Sequence, residues 1–396
     1  MFAKLILALT PMVLALPLAM DLYVPAIAHM TQEFQATDTQ MLLTLNWFML
    51  TSGLMQLVIG PVSDHYGRRK TALVIIACFA VASLCCGLST TVWQLLFFRI
   101  LQAVGSCGMM VIGFAIVRDC YAGDESAKAY SFLNGMISFS PIFATFIGSY
   151  LDLYLGWSYT FWILLFIAGA AFYTMGAWLE ETLPANKRTP LSGKLFKQYL
   201  TVIRNEDFTV YNLASAFGHC YLYLFCALSP YLIMRCLGIP QTQYGFYFCF
   251  MGISLLIGSF IGGLVVERIG IFKTCIAGYL ITLAGGLWMW IWYLYYGLSV
   301  HNFVYPMLLI GMGGTFCMGA GSGGAMEPFE EAKGTAAAAC GASRFFFAGI
   351  AGYFLINKTV TSTLPLAVPA VLFSLIGLAS LACFYREKWT VTQPSV

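Results

Sequence analysis

The chain is built from long apolar segments separated by short polar connections. Twelve such segments can be placed, and most of them reach the roughly 20 residues that an α-helix needs to cross a bilayer core. They lie at 3–28, 40–62, 71–89, 93–117, 127–151, 157–178, 209–235, 243–266, 274–297, 303–326, 335–357 and 365–385. They do not alternate as the strands of a transmembrane β-barrel do, so we predict helices throughout.

The composition excludes a water-soluble protein. Hydrophobic residues make up 60% of the 396 residues, and charged residues make up 9%. Soluble domains are nearer ~45–50% apolar and ~25% charged, so the surplus apolar surface must face lipid. The apolar stretch after Lys4 runs through Asp21 to Ile27 without a clear cleavage site. We therefore interpret it as a first span and not as a signal peptide.

The basic residues predict the orientation of the chain. With the N-terminus in the cytoplasm, sixteen of the twenty Lys and Arg residues fall on the cytoplasmic side. Only Arg235 and Lys358 fall outside, while Arg99 and Arg344 lie within spans. The positive-inside rule then places both termini in the cytoplasm. Omitting one span would invert every later loop, so the same bias supports the count of twelve.

The longest connection divides the chain into three parts. We predict an N-terminal six-helix bundle at 1–178, a cytoplasmic linker at 179–208 and a C-terminal six-helix bundle at 209–396. The basic stretch of the linker, which contains Tyr199 and Leu200, is either a short helix on the inner leaflet or a plain connection.

The two halves carry related sequences. Residues 60–70 read GPVSDHYGRRK, and residues 262–273 place glycines, an acid and two bases in a similar order about 203 positions later. Two like halves of six spans are typical of a transporter whose binding site lies between them.

Several motifs resemble those of the major facilitator superfamily. The loop at 60–70 resembles its signature loop, and Arg99, Gln102 and Gly105 resemble its Arg-x-x-Gln-x-x-Gly element. Span five resembles the antiporter element built around a Gly-Pro kink, with Ser140 in place of the glycine before Pro141. Residues 20–25, MDLYVP, look like the bicyclomycin/chloramphenicol-resistance (Bcr/CflA-type) drug–proton antiporters.

This resemblance implies an all-α membrane protein with twelve transmembrane helices in two pseudo-symmetric six-helix bundles. It also implies a cytoplasmic gate in which the loop latches the halves together in the outward-facing state. The gate residues carried over are Gly60, Asp64, Gly67, Arg68 and Arg69, with Asp119 as their acidic partner.

Two charges inside the first half are candidates for proton coupling. Asp21 lies about 25 Å along its helix from Lys4, and Arg99 lies about 28 Å from Arg118, so both sit toward the outer half. A proton can neutralise Asp21, and a nearby Arg99 would favour its ionised form. The alternative is a purely structural ion pair.

The predicted substrate cavity combines polar and aromatic residues from both halves. Arg344 falls near the midplane, where a fixed cation suggests a substrate with an anionic group. The alternatives are an arginine that binds backbone carbonyls, a His219 that only packs, and aromatic residues that face lipid. The cavity residues predicted are Tyr23, Asn46, Trp47, His219, Tyr223 and Arg344.

We therefore expect a proton-coupled secondary transporter that exports small amphipathic compounds by alternating access. A dedicated metabolite or siderophore transporter with an anionic substrate is the main alternative, and a membrane-embedded enzyme or receptor is a remote one. Histidines are scattered and no phosphate-binding loop occurs, so we expect no metal and no cofactor. The expected partners are a small molecule, protons and the lipid of a bacterial-type inner membrane, with no nucleic acid and a monomeric chain.

Overall fold

A computed structural model of the chain describes residues 2–121, 123–184, 186, 188, 194–329, 333–356 and 361–392. Lys358, which the sequence places on the outer side, lies outside these residues. The described structure is helical, with a 3₁₀ turn at Val24–Ala26 and a π-helix at Pro230–Cys236. The α-helices are α1 (Phe2–Asp21), α2 (Ile27–Glu33), α3 (Asp38–Tyr66), α4 (Arg68–Gly87), α5 (Val92–Cys120), α6 (Gly123–Tyr154), α7 (Ser158–Trp178), α8 (Lys194–Ile203), α9 (Glu206–Ser229), α10 (Gln241–Tyr296), α11 (Val300–Met326), α12 (Lys333–Ile356) and α13 (Leu364–Thr392).

The starts of several long helices are fixed by side-chain caps. Thr37 and Gln40 form a reciprocal capping box at the start of α3, and Ser299 and Asn302 form another at the start of α11. The side chain of Asn205 accepts from the backbone N–H of Phe208 at the start of α9. Each cap satisfies N–H groups that the first turn of a helix leaves without a partner. The boundaries therefore follow from local sequence as well as from the apolar segments.

Ten segments in the described part of the chain are long and apolar enough to cross a membrane. One of them is the 56-residue α10, which is interrupted at Gly270, where φ is 81° and ψ is 167°. The predicted eighth and ninth spans therefore follow each other with no loop between them. A positive φ is readily adopted by glycine and strained for other residues, so the break falls where the sequence permits it.

The internal repeat seen in the sequence is also visible in the backbone. Gly67 adopts φ 99° and ψ 150° between α3 and α4, and Gly270 adopts a similar conformation 203 residues later. Both glycines mark a tight connection between two long helices. The similarity of the two loops therefore extends from residue order to backbone geometry.

Helices of the first half pack mainly on one another, as do helices of the second half. In the first half α5 contacts α1, α3 and α4, and in the second half α11 contacts α9 and α10. Contact between the halves is made chiefly by α3 with α12 and by α6 with α10. These two pairs form the seam along which the first and second halves of the chain meet.

The connection after α7 contains the short helix α8, so the alternative of a plain linker is wrong. The hydroxyl group of Tyr199 on α8 donates to the carbonyl of Leu57 on α3, at 3.1 Å. Val202 on the same helix packs with Phe208 and Cys340 of the second half. Burial, together with the Asp64 carboxylate, raises the pKa of Tyr199, so the phenol stays a neutral donor at physiological pH. Helix α8 thus touches both halves.

Candidate functional site

The predicted loop residues meet at the end of the molecule that carries the 60–70 loop and α8, which we call the loop end. The side chain of Arg68 is buried, and its Nη2 lies 2.5 Å from Oδ1 of Asp64. Its Nε lies 2.8 Å from Oδ2 of Asp119, and its Nη1 donates to Oγ of Ser63 at 2.6 Å. The arginine and its predicted acidic partner are therefore in direct contact. Two carboxylates share one guanidinium, which leaves the cluster with excess negative charge.

Arg69 and Gly67 point to a contact that the sequence did not reveal. The Nη2 of Arg69 donates to the carbonyl of Gly176 at 2.6 Å, and so it binds the last turns of α7. The carboxylate of Glu181, just after α7, accepts from the backbone N–H groups of Arg68 and Arg69 at 2.8 and 3.3 Å. A Cβ added to Gly67 would come within 2.4 Å of Oε2 of Glu181. Glu181 therefore caps α4 and occupies the space beside the glycine.

Asp21 ends α1 and is buried, with 6% of its surface exposed. The hydroxyl of Ser140 donates to its Oδ2 at 2.9 Å, and the hydroxyl of Thr145 donates to its carbonyl at 3.4 Å. Both partners lie on α6, one of the two helices of the first half that form the seam with the second half. No ion pair to this carboxylate is found among the described residues. A buried carboxylate without a cationic partner is costly when ionised.

Arg99 does not supply the expected neighbouring charge. Its Nη1 donates to the carbonyl of Ala19 at 2.9 Å and to Oε1 of Gln102 at 2.6 Å. Its guanidinium carbon lies 4.4 Å from the ring centre of Tyr23 and 4.1 Å from that of Phe48. The expected proximity of Arg99 and Asp21 therefore does not give an ion pair in this structure. Aromatic faces and neutral acceptors stabilise the cation instead.

Asn46 and Tyr223 form a contact between the two halves. The hydroxyl of Tyr223 on α9 donates to Oδ1 of Asn46 on α3, and both residues are buried. Tyr23 is also buried, and its hydroxyl lies 2.6 Å from that of Thr44. Trp47, in contrast, is 46% exposed on the outer surface of α3. The helix turns the side chain of Trp47 away from its buried neighbour Asn46. None of these four predicted cavity residues lines the cavities that open at the two ends of the described structure.

A cavity of about 510 Å³ opens between the halves at the loop end. We call it the loop-end cavity, and Arg344 lines it together with residues that include Gln56, Gly60, Asp64, Arg68 and Met110. The Nε of Arg344 donates to Oγ of Ser215 at 2.7 Å, and its Nη2 donates to Oγ of Ser322. These hydroxyls hold the guanidinium without neutralising it. No carboxylate pairs with Arg344 among the described residues.

His219 lies deeper in the second half, close to Arg344. Its ring meets that of Phe345 edge-on, with the centres 5.1 Å apart. Its Nε2 is buried and has no hydrogen-bond partner among the described residues. The lining of the loop-end cavity does not include it, so this structure gives His219 a packing contact and no access to that cavity.

Comparison with known proteins decides the family. The family model described as Major Facilitator Superfamily matches residues 9–353. The chain belongs to this superfamily. It is 29% identical to a chloramphenicol resistance protein of Pseudomonas aeruginosa, covering 98% of this chain and 91% of that protein. It is 28% identical to multidrug resistance protein D of Escherichia coli, covering 96% and 95%.

Solved structures agree with the superfamily assignment at the level of fold. A bacterial homologue of the human lysosomal transporter Spinster, inward-facing and occupied, gives a TM-score of 0.72 at 15% identity, with 97% of each chain covered. The xylose transporter XylE of Escherichia coli, partially occluded and inward-open, gives 0.71 at 12% identity, again with 97% of each covered. A member of this superfamily is a transporter of small compounds and a multi-pass membrane protein.

Within the superfamily fold, sequence reasoning missed four partners. Glu181 caps α4, Ser140 binds Asp21, and Ser215 and Ser322 hold Arg344. The sequence did mark Ser140 as unusual, because a serine stands there in place of the glycine of the antiporter element. The other three carried no such mark, because a serine in an apolar span or an acid in a linker is too common to single out.

Proposed function

We propose that the chain is a proton-coupled exporter of small amphipathic compounds that works by alternating access. The observation that carries this proposal is the buried Asp21 carboxylate, which is bound by Ser140 and has no cation among its described partners. The proton affinity of a buried carboxylate depends on its burial and on nearby charges, so such a group binds and releases a proton as its surroundings change. One proton moving down a potential of 100 mV supplies about 2.3 kcal/mol, enough to drive modest uphill export.

The proposed topology has twelve spans, with both termini in the cytoplasm of a bacterial-type inner membrane. The ten candidate segments become eleven when α10 is divided at Gly270, and the 24-residue α12 provides the twelfth. Bundles at 1–178 and 209–396, joined by a linker at 179–208, agree with the contacts between helices. The loop end is then cytoplasmic, as the distribution of Lys and Arg predicts.

Alternating access would use the seam between the halves. In the proposed cycle the loop-end cavity receives the substrate from the cytoplasm. The two halves then rock against each other along the contacts of α3 with α12 and of α6 with α10. Because Asp21 binds α6, which is part of this seam, its protonation state can influence which side opens. The cluster of Asp64, Arg68 and Asp119 is the proposed cytoplasmic gate, with Gly60, Gly67 and Arg69 shaping its loop.

The direct test uses purified protein in liposomes with an imposed pH gradient. Neutral, cationic and acidic amphipathic compounds are loaded in turn, and their gradient-dependent movement is compared with that in protein-free vesicles. The proposal expects several chemically different compounds to move against a proton gradient. Movement that is indifferent to the gradient, or that requires ATP, would contradict it.

The second candidate function is a transporter dedicated to an anionic metabolite or siderophore. Arg344 favours this candidate, because its charge faces the loop-end cavity and is held by hydroxyls instead of an acid. The same liposome assay separates the two candidates. Transport confined to acids would support the dedicated transporter, whereas transport of neutral and cationic compounds would support multidrug export, which the names of the relatives also favour.

A further inference from the structure

A second cavity, of about 730 Å³, lies at the opposite end of the molecule, which we call the far end. The first half contributes residues near the start of α2 and α3 together with Asp152, at the end of α6. The second half contributes Tyr231, Arg235 and Gln241. The lining of this far-end cavity includes neither Asp21 nor any residue that lines the loop-end cavity.

Asp152 is the centre of a polar cluster that joins the halves at this cavity. The residue is only 3% exposed, although it lines the cavity. Its Oδ1 lies 2.8 Å from Nδ1 of His29, in the first half. Its Oδ2 accepts from Nε2 of Gln241, in the second half, at 2.6 Å. Gln241 also donates to the carbonyl of Pro25 at 3.4 Å, which adds a second link between the halves.

The charged groups around this cluster are largely committed to other partners. Glu33 accepts from the indole N–H of Trp157 at 2.6 Å and lies 3.9 Å from Nε2 of His29. Asp38 forms an ion pair with Arg235, which is another link between the halves. Tyr231 donates to the carbonyl of Asp38 at 3.4 Å. The carboxylate of Asp152, in contrast, is contacted directly by side chains from both halves.

The protonation state of Asp152 determines how strongly this cluster holds the two halves together. An ionised carboxylate accepts two charge-assisted hydrogen bonds, one from each half of the chain. A proton on Asp152 removes the charge and turns one oxygen into a donor, so one of the two bonds is weakened or lost. A proton on His29 has the opposite effect, because it adds an attractive charge beside the carboxylate. Only the proton on Asp152 loosens the contact with Gln241.

We propose that Asp152 is a gating residue that holds the far end shut while ionised and releases it when protonated. This inference rests on the proposed alternating access, since it assigns the residues that close one side. Protonation of Asp152 would couple opening of the far end to an acidic exterior. A proton-driven exporter must take up its proton from that side. Gln241 is the matching contact on the second half, and His29 orients the carboxylate.

The test is hydrogen–deuterium exchange of the full-length protein in lipid nanodiscs, with no substrate and no gradient. Exchange is measured in peptides covering 24–38 and 230–241, at pH values from 8 to 5, and corrected for the intrinsic chemical rate. The wild type should exchange faster at these peptides as the pH falls. Asp152→Asn should exchange at least about tenfold faster at pH 8, as expected when a charge-assisted hydrogen bond is lost, and should lose most of the pH dependence.

Two further variants keep the test decisive. Gln241→Leu removes the bond between the halves but leaves Asp152 and His29 together, so it should also raise far-end exchange. Gln32→Ala, which lines the same cavity and makes no side-chain bond to the second half among the described residues, should match the wild type. Hydrogen–deuterium exchange of peptides at the loop end should be unchanged in each variant, which verifies its fold. If Asp152→Asn disturbs exchange at the loop end, the result for Gln241→Leu decides the outcome.

Far-end exchange equal to that of the wild type in Gln241→Leu and in a folded Asp152→Asn would overturn the proposal. An equal increase in Gln32→Ala would do the same, because the effect would not be specific to the cluster. The result does not depend on finding a substrate. If transport proves to be uncoupled from protons while Asp152→Asn still opens the far end, the gate stands and the proposed function fails. If transport is coupled and the exchange is unchanged, only the gate fails.

Discussion

The hydroxyl of Ser140 donates a 2.9 Å hydrogen bond to Oδ2 of Asp21 and so connects α6 to the end of α1. Ser140 precedes Pro141, and proline leaves a gap in the hydrogen bonding of α6 at this level. The carboxylate is therefore held at a point where the helix is locally weakened. This relationship gives the proposed coupling site a partner that can be changed without touching the carboxylate.

Ser140→Ala should shift the dependence of transport on pH. The serine donates to the ionised carboxylate, so its loss makes the ionised form less favourable and proton release harder. A hydrogen bond to a charged group is worth about 1.5–3 kcal/mol, so we expect the profile to move by about one to two units toward higher pH. The measurement is initial export rate in liposomes across pH. Ser138→Ala, two residues away and bonded within α6, is the control, and an identical profile for both variants would speak against a role for Ser140.

Glu181→Gln should slow transport without changing which compounds are carried. The charged carboxylate caps the start of α4 beside Gly67, whereas a neutral amide is a weaker acceptor there. We expect turnover to fall severalfold with little change in KM, and Glu181→Asp to restore part of it. Glu180→Gln, at an exposed neighbouring acid, should behave as the wild type. If Glu180→Gln and Glu181→Gln lose turnover equally, the cap is not the cause.

Substitutions in the 60–70 loop should act on rate and stability. Gly67→Ala places a Cβ within 2.4 Å of Glu181 at a φ of 99°, and strain of this type costs about 1–3 kcal/mol. Asp64→Asn removes one of the two carboxylates on Arg68 and should slow alternation with substrate preference unchanged. Thermal unfolding and turnover measured together check both expectations. A changed preference at full turnover would contradict the proposed gate.

Arg344→Ala should selectively weaken the transport of acidic compounds. A guanidinium that faces the loop-end cavity gives an anion charge-assisted hydrogen bonds worth about 1.5–3 kcal/mol, so we expect KM for acids to rise at least about tenfold. Arg344→Lys should recover only part of this, because an ammonium group lacks the planar fork. Lys197→Ala removes an equal charge from the exposed side of α8 and serves as the control. Equal losses for acids, cations and neutral compounds would mean that Arg344 has a structural role.

The sequence predicted those features that depend on residue order. Helix positions followed from apolar segments, and the contact between Arg68 and Asp119 followed from the loop motif. The break at Gly270 fell inside the predicted connection between two spans, although the helices there continue without a loop. Such features are local, or they repeat a pattern that many chains share.

Features that depend on the rotation of a helix could not be predicted. Asp21 and Arg99 have similar depths in the sequence, yet Asp21 faces Ser140 while Arg99 faces Gln102 and two aromatic rings. Asn46 and Trp47 are adjacent, but one is buried at the seam and the other is exposed. A shift of one residue turns a helix by about 100°, so small differences in packing decide which side chains meet.

The central claim is tested most directly by Asp21→Asn in liposomes, where the same protein is assayed for gradient-driven transport and for substrate exchange at equal pH. We predict that uphill export falls at least about tenfold while exchange persists, since asparagine keeps the size of the side chain but cannot carry the proton. Glu125→Gln, an exposed acid in the first turn of α6, should leave both activities intact. Gradient-driven export by Asp21→Asn at the wild-type rate would contradict the assignment of Asp21 as the coupling residue.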